Sequence, residues 1–255
     1  MFIDTHTHLY LSAFSNGGKN AVERALAAEV QHMILPNVDL STIEPMRKLH
    51  SEFPQATSMA MGLHPTEIGE DWRDALSRTK EEFDTNRSDY IAVGEIGIDM
   101  YWDKTFIEQQ MQAFEAQVQW AVDTNLPIIV HCREGLAQTL EVLQAFPQAR
   151  GVMHSFGGTI ADVDAVRRVV DFYFGINGVV TFKNSGLRNT IPVIGTDRLL
   201  LETDSPYLAP VPLRGKRNES AHITHIAKHI AETLGYTQQI IAESTTANAH
   251  SLFAI

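Results

Sequence analysis

His6 and His8 stand two residues apart near the start of the sequence. Because alternate residues of a β-strand share one face, the two imidazoles would point to the same side. Neutral imidazole is a good nitrogen ligand for a divalent metal ion. Taken alone, the pair is equally compatible with two surface histidines in a turn, so the rest of the chain must decide between the two interpretations.

Similar side chains stand at or just after the ends of other short apolar runs: His64, Glu95, His131, His154, Glu202 and Asp204. Scattered surface residues would not be expected to select these positions. A carboxylate that follows a buried run, as Glu95 follows Ile91–Val93, is costly unless it is paired or bound to a metal. The set therefore predicts a shared metal site.

This set is larger than one metal ion needs. A catalytic zinc ion has three protein ligands, whereas the sequence offers four or five histidines and two or three carboxylates. We therefore expect two divalent ions, with Glu95 able to bridge them. Such a pair attracts phosphate and activates water, as in two-metal phosphoester hydrolysis. The histidines favour zinc, manganese, cobalt or iron over an all-oxygen magnesium cage, and zinc, manganese and magnesium are kept as candidates.

Eight short apolar runs alternate with helical patterns and predict the strands of an α/β fold. They are Phe2–His6, His32–Asn37, Thr57–Gly62, Tyr90–Glu95, Pro127–His131, Gly151–His154, Asp171–Ile176 and Arg198–Glu202. Eight βα units in about 250 residues match a closed (β/α)₈ TIM barrel, here a single domain over residues 1–255. The open doubly wound alternative lacks its GxGxxG turn after the first strand. In the barrel, the ends of all eight strands converge on one mouth.

Helical spacing of apolar residues is clearest over Phe106–Val122, Ala161–Val170 and Ile223–Leu234. We expect the last helix, Gln238–Phe253, to pack on the outside of the barrel. His222, His225 and His229 belong to a predicted outer helix and are expected to be ordinary polar residues. Cys132 alternates away from His131 and is expected to be an inert, helix-facing residue.

The composition limits the classes of function. With 31 acidic and 20 basic residues, the 255-residue chain carries a formal net charge of −11, which argues against a bulk basic surface for DNA or anionic membranes. A local cationic site remains compatible with this charge. One cysteine excludes an internal disulfide framework. No apolar run reaches about 18 residues and no secretory signal is visible, so a cytoplasmic protein without membrane attachment is expected.

The polar strand ends, taken with their neighbours, resemble the TatD family of metal-dependent deoxyribonucleases, within the amidohydrolase-like barrels. The matching blocks run from Phe2–Leu9 through Gly62–Pro65, Gly94–Asp99, Pro127–Arg133, His154–Gly158, Leu201–Pro206 and Arg214–Glu219 to Asn248–Phe253. The resemblance implies that one metal is bound by His6, His8, Glu95 and Asp204. It implies that the second is bound by Glu95, His131 and His154, with Glu95 bridging.

Catalytic and substrate-binding roles follow from this assignment. Glu95 and Asp204 are the predicted catalytic residues, and Asp204 is expected to accept the proton of the attacking water. The resemblance places His64 and Glu202 on the same rim. Arg133 is predicted to bind phosphate, as are the basic residues of the loop after the eighth strand, Arg214, Lys216 and Arg217.

Tyr101 and Trp102 follow the fourth strand and could stack on a base. The family usually has Tyr directly after the residue that matches Asp99, whereas Met100 intervenes here. This departure affects the expected substrate contacts and leaves the ligand set intact.

The sequence thus favours a metal-dependent phosphodiesterase that cleaves DNA, from an end or in single-stranded form, without an obligate protein partner. The alternative is hydrolysis of another ester or amide, such as an aminoacyl-tRNA ester, a lactone or a small phosphoester. A metal-binding interaction protein on a barrel scaffold is the non-enzymatic alternative.

Overall fold

The computed structural model describes residues 1–255. Eight parallel strands form one sheet in chain order: β1 (Phe2–Asp4), β2 (Val30–Pro36), β3 (Thr57–Met61), β4 (Tyr90–Asp99), β5 (Ile128–Arg133), β6 (Gly151–Met153), β7 (Tyr173–Ile176) and β8 (Leu199–Leu201). The Thr5 N–H donates to the carbonyl of Leu201 at 3.0 Å across the seam between β8 and β1. Thr7 and Ser205 form a further parallel bridge there. The predicted (β/α)₈ barrel is confirmed.

A helix follows each strand: α1 (Lys19–Ala27), α2 (Ile43–Glu52), α3 (Trp72–Thr85), α4 (Ile107–Thr124), α5 (Leu136–Leu143), α6 (Ile160–Val169), α7 (Leu187–Ile194) and α8 (Ile223–Leu234), after which comes α9 (Gln238–Phe253). The apolar stripes of these helices pack on the outward faces of the strands in one large core. No helix is long and apolar enough to cross a membrane.

A second, smaller core fills the interior of the barrel. Its strand residues come from seven of the eight strands: Ile3, Ile34, Ala60, Ala92, Ile129, Val152 and Leu200. Because side chains alternate between the two faces of a strand, the residue two positions after an interior residue also points to the barrel axis. His131, His154 and Glu202 each lie two residues beyond an interior residue, so they face the same axis at the polar end of the barrel.

Helix α9 was predicted to pack on the outside of the barrel, but its C-terminal end also takes part in the interior core. Three apolar residues near its end, Ala249, Leu252 and Phe253, join the interior core of the barrel. The partly buried Ile91 and Tyr173, close to the beginnings of β4 and β7, pack there as well. The end of α9 therefore closes the barrel opposite the polar strand ends, because the interior residues would otherwise be open to water at that end.

Strand β4 continues four residues beyond its predicted end at Glu95 and stops at Asp99. Gly97 makes this possible. It has a φ of +144°, and a Cβ there would lie 2.0 Å from the carbonyl oxygen of His131 on β5. Only glycine allows that approach of the two strands. The extension carries Asp99 to the mouth beside β5.

Candidate functional site

Glu95 is the centre of a cluster at the mouth of the barrel, and each of its carboxylate oxygens faces different imidazoles. Oε2 lies 3.1 Å from His6 Nε2 and 3.5 Å from His8 Nε2. Oε1 lies 2.8 Å from His131 Nδ1 and 3.6 Å from His154 Nε2. Burial alone would raise the pKa of Glu95, but the surrounding imidazoles, His6 foremost, hold the pKa well below its usual value. The carboxylate is therefore ionised in the metal-free protein.

Asp204 completes the cluster from the end of β8. Its Oδ1 lies 3.9 Å from His6 Nε2 and 3.8 Å from the Nε2 atoms of both His8 and His154. The backbone at Asp204 has a φ of +54°, a left-handed conformation that aspartate tolerates better than most residues. Burial raises the pKa of Asp204 to about 6, although His154 and His8 oppose that shift.

His64, predicted to line the rim, lies directly against this cluster. Its Nε2 is 3.3 Å from Glu95 Oε1 and 3.2 Å from His131 Nδ1. The other ring nitrogen, Nδ1, accepts from the Thr66 N–H at 3.2 Å and contacts its hydroxyl at 2.7 Å. Burial lowers the pKa of His64, so the neutral, metal-binding form of the ring is favoured.

These donor atoms fit divalent metal ions. Three groups each hold their donor atoms within 4.8 Å of one another: His6, Glu95 and His154; His6, His8 and Asp204; His64, Glu95 and His131. Around a tetrahedral ion with bonds of about 2.0–2.1 Å, neighbouring donors lie about 3.3 Å apart. The Nε2 atoms of His6 and His8 are 3.0 Å apart. No lysine or arginine pairs with Glu95 or Asp204, so a bound metal ion would balance these carboxylates in place of protons on the surrounding imidazoles.

Asp99, which was not predicted as a site residue, orients His131. Its Oδ2 lies 2.9 Å from His131 Nε2. Burial would raise the pKa of Asp99, but His131 outweighs this effect and brings the pKa down to about 2. An ionised carboxylate only accepts hydrogen bonds, so Nε2 must donate to Asp99, and Nδ1 is the ring nitrogen that would bind a metal ion held by Glu95.

Glu202 holds the corresponding position behind His154. It is completely buried, lies 3.1 Å from His154 Nδ1 and accepts from the Ser155 N–H at 2.6 Å. Burial alone would lower the pKa of His154, but Glu202 and Glu95 raise it to about 10. A Cβ at Gly175 would lie 2.1 Å from Glu202 Oε2, so that glycine leaves room for the carboxylate. The structure thus places Glu202 behind a histidine and away from the exposed rim.

Asp4 joins the first and last strands beneath the cluster. It is completely buried, and its Oδ1 and Oδ2 accept from the Thr203 N–H at 2.9 Å and the Thr203 hydroxyl at 2.6 Å. Burial raises the pKa of Asp4 to about 7. Its place directly before the histidine pair was the only sequence signal, and the partner lies 199 residues away.

The basic residues predicted to bind substrate lie around the mouth of the barrel. They differ in how far their side chains are already engaged in other contacts. The guanidinium carbon of Arg133 lies 3.6 Å from the centre of the Tyr101 ring, and that of Arg214 lies 3.7 Å from the Phe182 ring. Arg217 donates to the carbonyl of Ala13 at 2.8 Å, so part of its hydrogen-bonding capacity is already used. Lys216 is exposed and has no ion pair.

The residues expected to be unreactive lie elsewhere. Cys132 faces α5, where the Thr139 hydroxyl lies 3.6 Å from its Sγ, and burial raises the pKa of its thiol. His222 contacts Asn218 Oδ1 at 3.0 Å, at the beginning of α8. Both placements are away from the metal-ligand cluster.

Comparison with known proteins identifies the family. The family model described as TatD related DNase matches residues 3–254. The chain is 34% identical over 258 residues to the uncharacterized metal-dependent hydrolase YabD of Bacillus subtilis, covering 100% of both chains. It is 32% identical over 262 residues to the 3′-5′ ssDNA/RNA exonuclease TatD of Escherichia coli, covering 99% of this chain and 98% of that protein.

A solved structure gives the same result. The crystal structure of the TatD homologue YjjV from Escherichia coli matches with a TM-score of 0.91 at 25% identity, over 100% of this chain and 98% of that one. Because the family model, the relatives and the barrel agree over nearly the whole length, this chain belongs to the TatD family and is a metal-dependent hydrolase.

Proposed function

We propose that the protein is a phosphodiesterase that uses two divalent ions to cleave single-stranded DNA from an end. The observation that carries this proposal is the position of Glu95, whose two carboxylate oxygens face separate groups of donors. One carboxylate between two donor groups would be able to bridge a pair of divalent ions of the kind used in phosphoester hydrolysis. The E. coli relative is named as an ssDNA/RNA exonuclease, which supports a nucleic acid as the substrate.

We assign the first ion to His6, His8, Glu95 and Asp204, and the second to Glu95, His131 and His154, because Glu95 Oε2 faces the first pair of histidines and Oε1 faces the second pair, with His64 also 3.3 Å from Oε1. Bound there, zinc, manganese or magnesium ions would activate water and offset the charge of a phosphoryl group. Glu202 and Asp99 fix the orientations of His154 and His131. Glu202 was predicted to lie on the rim with the substrate-binding residues, and because it is completely buried behind His154 we propose the positioning role for it.

The protein's own residues account for the proton and for the substrate phosphate. Asp204 Oδ1 would accept the proton of the attacking water, and a pKa near 6 leaves this carboxylate mostly ionised at neutral pH. Arg133, Arg214 and Lys216 offer exposed positive charge at the mouth, whereas the chain as a whole is acidic. We expect the protein to contact only a short stretch at the end of the nucleic acid strand, without an extended basic groove. The cytoplasmic location and the single domain over residues 1–255 remain predictions.

The test is cleavage of labelled oligonucleotides by protein reconstituted with zinc, manganese or magnesium. The panel contains single-stranded DNA, duplex DNA, RNA, an aminoacyl ester, a lactone and a small phosphomonoester. We expect stepwise shortening of single-stranded DNA, its loss in Asp204→Asn and His131→Ala, and its retention in Asp164→Asn, which changes an exposed carboxylate on α6. A preference for the acyl substrates, or equal cleavage by wild type and His131→Ala, would refute the proposal.

A further inference from the structure

Trp102 is the most exposed large apolar side chain of the protein, with 70% of its surface accessible. The other two tryptophans, Trp72 and Trp120, are only 6% and 9% exposed and belong to the helix packing. Tyr101 next to it is 49% exposed. An exposed indole beside an exposed phenol ring offers a flat apolar surface on which a planar group can stack.

The backbone of these two aromatic residues is fixed to the candidate metal centre by one carboxylate. Asp99 Oδ1 accepts from the Tyr101 N–H at 2.9 Å and from the Trp102 N–H at 3.2 Å. Its other oxygen, Oδ2, holds His131 at 2.9 Å. Trp102 is three residues from Asp99, so their Cα atoms are at most about 11 Å apart. The ring therefore stands beside the mouth, within the reach of a neighbouring nucleotide.

Arg133 gives this aromatic pair a charged partner. Its guanidinium carbon lies 3.6 Å from the centre of the Tyr101 ring and 5.5 Å from that of Trp102. The two rings meet edge to face, with their centres 4.9 Å apart. Arg133 has no carboxylate within ion-pair distance, unlike the neighbouring Lys104, which lies 3.9 Å from Glu134. A guanidinium oriented by stacking and free of an acidic partner can bind a phosphate.

We propose that Trp102, Tyr101 and Arg133 form a subsite for one unpaired nucleobase and its adjoining phosphate. The base stacks on Trp102, and Arg133 binds the phosphate that links this nucleotide to the next. Stacking on an indole needs only a π-face, so the subsite accepts any base of DNA or RNA and excludes bases that are paired in a duplex. This inference rests on the proposed nuclease function, because it names the feature that would favour a single strand there.

Binding can be measured apart from cleavage. With chelator present, a single-stranded oligothymidylate is titrated into the protein while tryptophan fluorescence is recorded. Because Trp102 is the exposed tryptophan, stacking should quench its emission, and Trp102→Phe should remove the quenching signal. We expect Trp102→Ala to weaken binding, followed by fluorescence anisotropy of a labelled oligonucleotide, about 5- to 150-fold, the range for loss of one stacked base. An oligouridylate tests RNA in the same way.

An oligonucleotide with one abasic position gives the decisive comparison. Moving that position along the strand should reveal one place where the missing base weakens wild-type binding, and in Trp102→Ala the same omission should have no further effect. Tyr236→Ala, which removes an exposed aromatic ring in the turn before α9, is the matched control and should bind like wild type. Equal binding by Trp102→Ala and wild type, or an abasic penalty that persists in Trp102→Ala, would overturn the subsite.

The two proposals fail in different ways. If the metal-loaded protein cleaves single strands but Trp102→Ala binds and cleaves as wild type does, the subsite is wrong and the nuclease function stands. If oligothymidylate quenches Trp102 yet no metal supports cleavage, the nuclease function is wrong and the base-binding subsite stands.

Discussion

Replacing Asp99 by asparagine removes a negative charge behind His131 and leaves nearly the same shape. In the native arrangement Oδ1 accepts from two backbone N–H groups, of Tyr101 and Trp102, and Oδ2 accepts from His131 Nε2. The asparagine carbonyl oxygen would satisfy the two N–H groups, so its NH₂ would point at Nε2. That ring nitrogen would then have to accept, and the imidazole proton would move to Nδ1, which faces Glu95.

The expected loss of metal affinity follows from exchanging a hydrogen bond to a charged carboxylate for one to a neutral amide. A hydrogen bond to a charged group contributes about 1.5–3 kcal/mol and a neutral one about 1 kcal/mol, and the wrong tautomer must also be corrected before Nδ1 can bind a metal ion. We therefore expect metal affinity to fall about 10- to 100-fold, equivalent to about 1.4–2.7 kcal/mol. The loss should concern the second group of donors, to which His131 belongs, and leave one ion at the group of His6 and His8.

The assay is isothermal titration of chelator-treated protein with zinc, together with the metal content after dialysis. Asp103→Asn serves as the control, because it changes a carboxylate on the same loop that accepts from the Thr105 N–H at 2.8 Å. Circular dichroism checks that both variants are folded. An affinity for both ions within twofold of wild type, or an equal loss in Asp103→Asn, would refute the assigned role of Asp99.

Three further predictions concern stability and metal removal. Phe253→Ala should lower the free energy of unfolding by about 3–5 kcal/mol in urea, because Phe253 is buried in the interior core, whereas truncation of the half-exposed Ile240 on the same helix should cost far less. Arg24→Gln should cost about 1 kcal/mol at pH 7, since Arg24 contacts Glu219 at 2.6 and 2.8 Å and lowers its pKa against the effect of burial. A carboxyl with a lowered pKa stabilises above its unfolded pKa, so this cost should vanish as the pH falls through the folded pKa of Glu219, and a cost that persists at low pH would contradict the pairing. Removal of metal by chelator should lower the melting temperature by about 5–10 °C for each bound ion, because binding of one ion contributes about 2.7 kcal/mol when the metal concentration is about one hundred times the dissociation constant. An unchanged melting temperature would count against bound ions.

The strands and helices could be predicted from the sequence because local patterns of apolar and polar residues determine them. Each predicted strand overlaps an observed one, since a short apolar run between polar residues has few alternatives in an α/β chain. The end of β4 was placed four residues too early. Gly94 and Gly97 interrupt the apolar pattern there, and only their close packing on β5 shows that the strand continues.

The cluster itself was predicted from strand ends, but the positioning roles of the residues behind it were not. Asp4, Asp99 and Glu202 act through partners that are brought close only by the closed barrel, such as Thr203, which lies 199 residues from Asp4. Spacing along one strand cannot show such a partner. The role of α9 in closing the barrel was not predicted for the same reason. In the sequence its apolar residues resemble the buried face of an ordinary outer helix, and only the folded barrel shows that they cover its open end.

The closure of the barrel by α9 has a consequence for how the chain folds during synthesis. Helix α9 follows all eight strands, yet Ala249, Leu252 and Phe253 cover Ile3 from the first strand. At the other end of the barrel, the meeting of β1 and β8 brings His6 next to Asp204. A nascent chain that has not yet produced α9 therefore exposes its central apolar layer, and the donor cluster is still missing Asp204 until β8 has been made. Chaperone binding to stalled chains should consequently persist until α9 has emerged, and the metal centre and the stable barrel should appear late and nearly together.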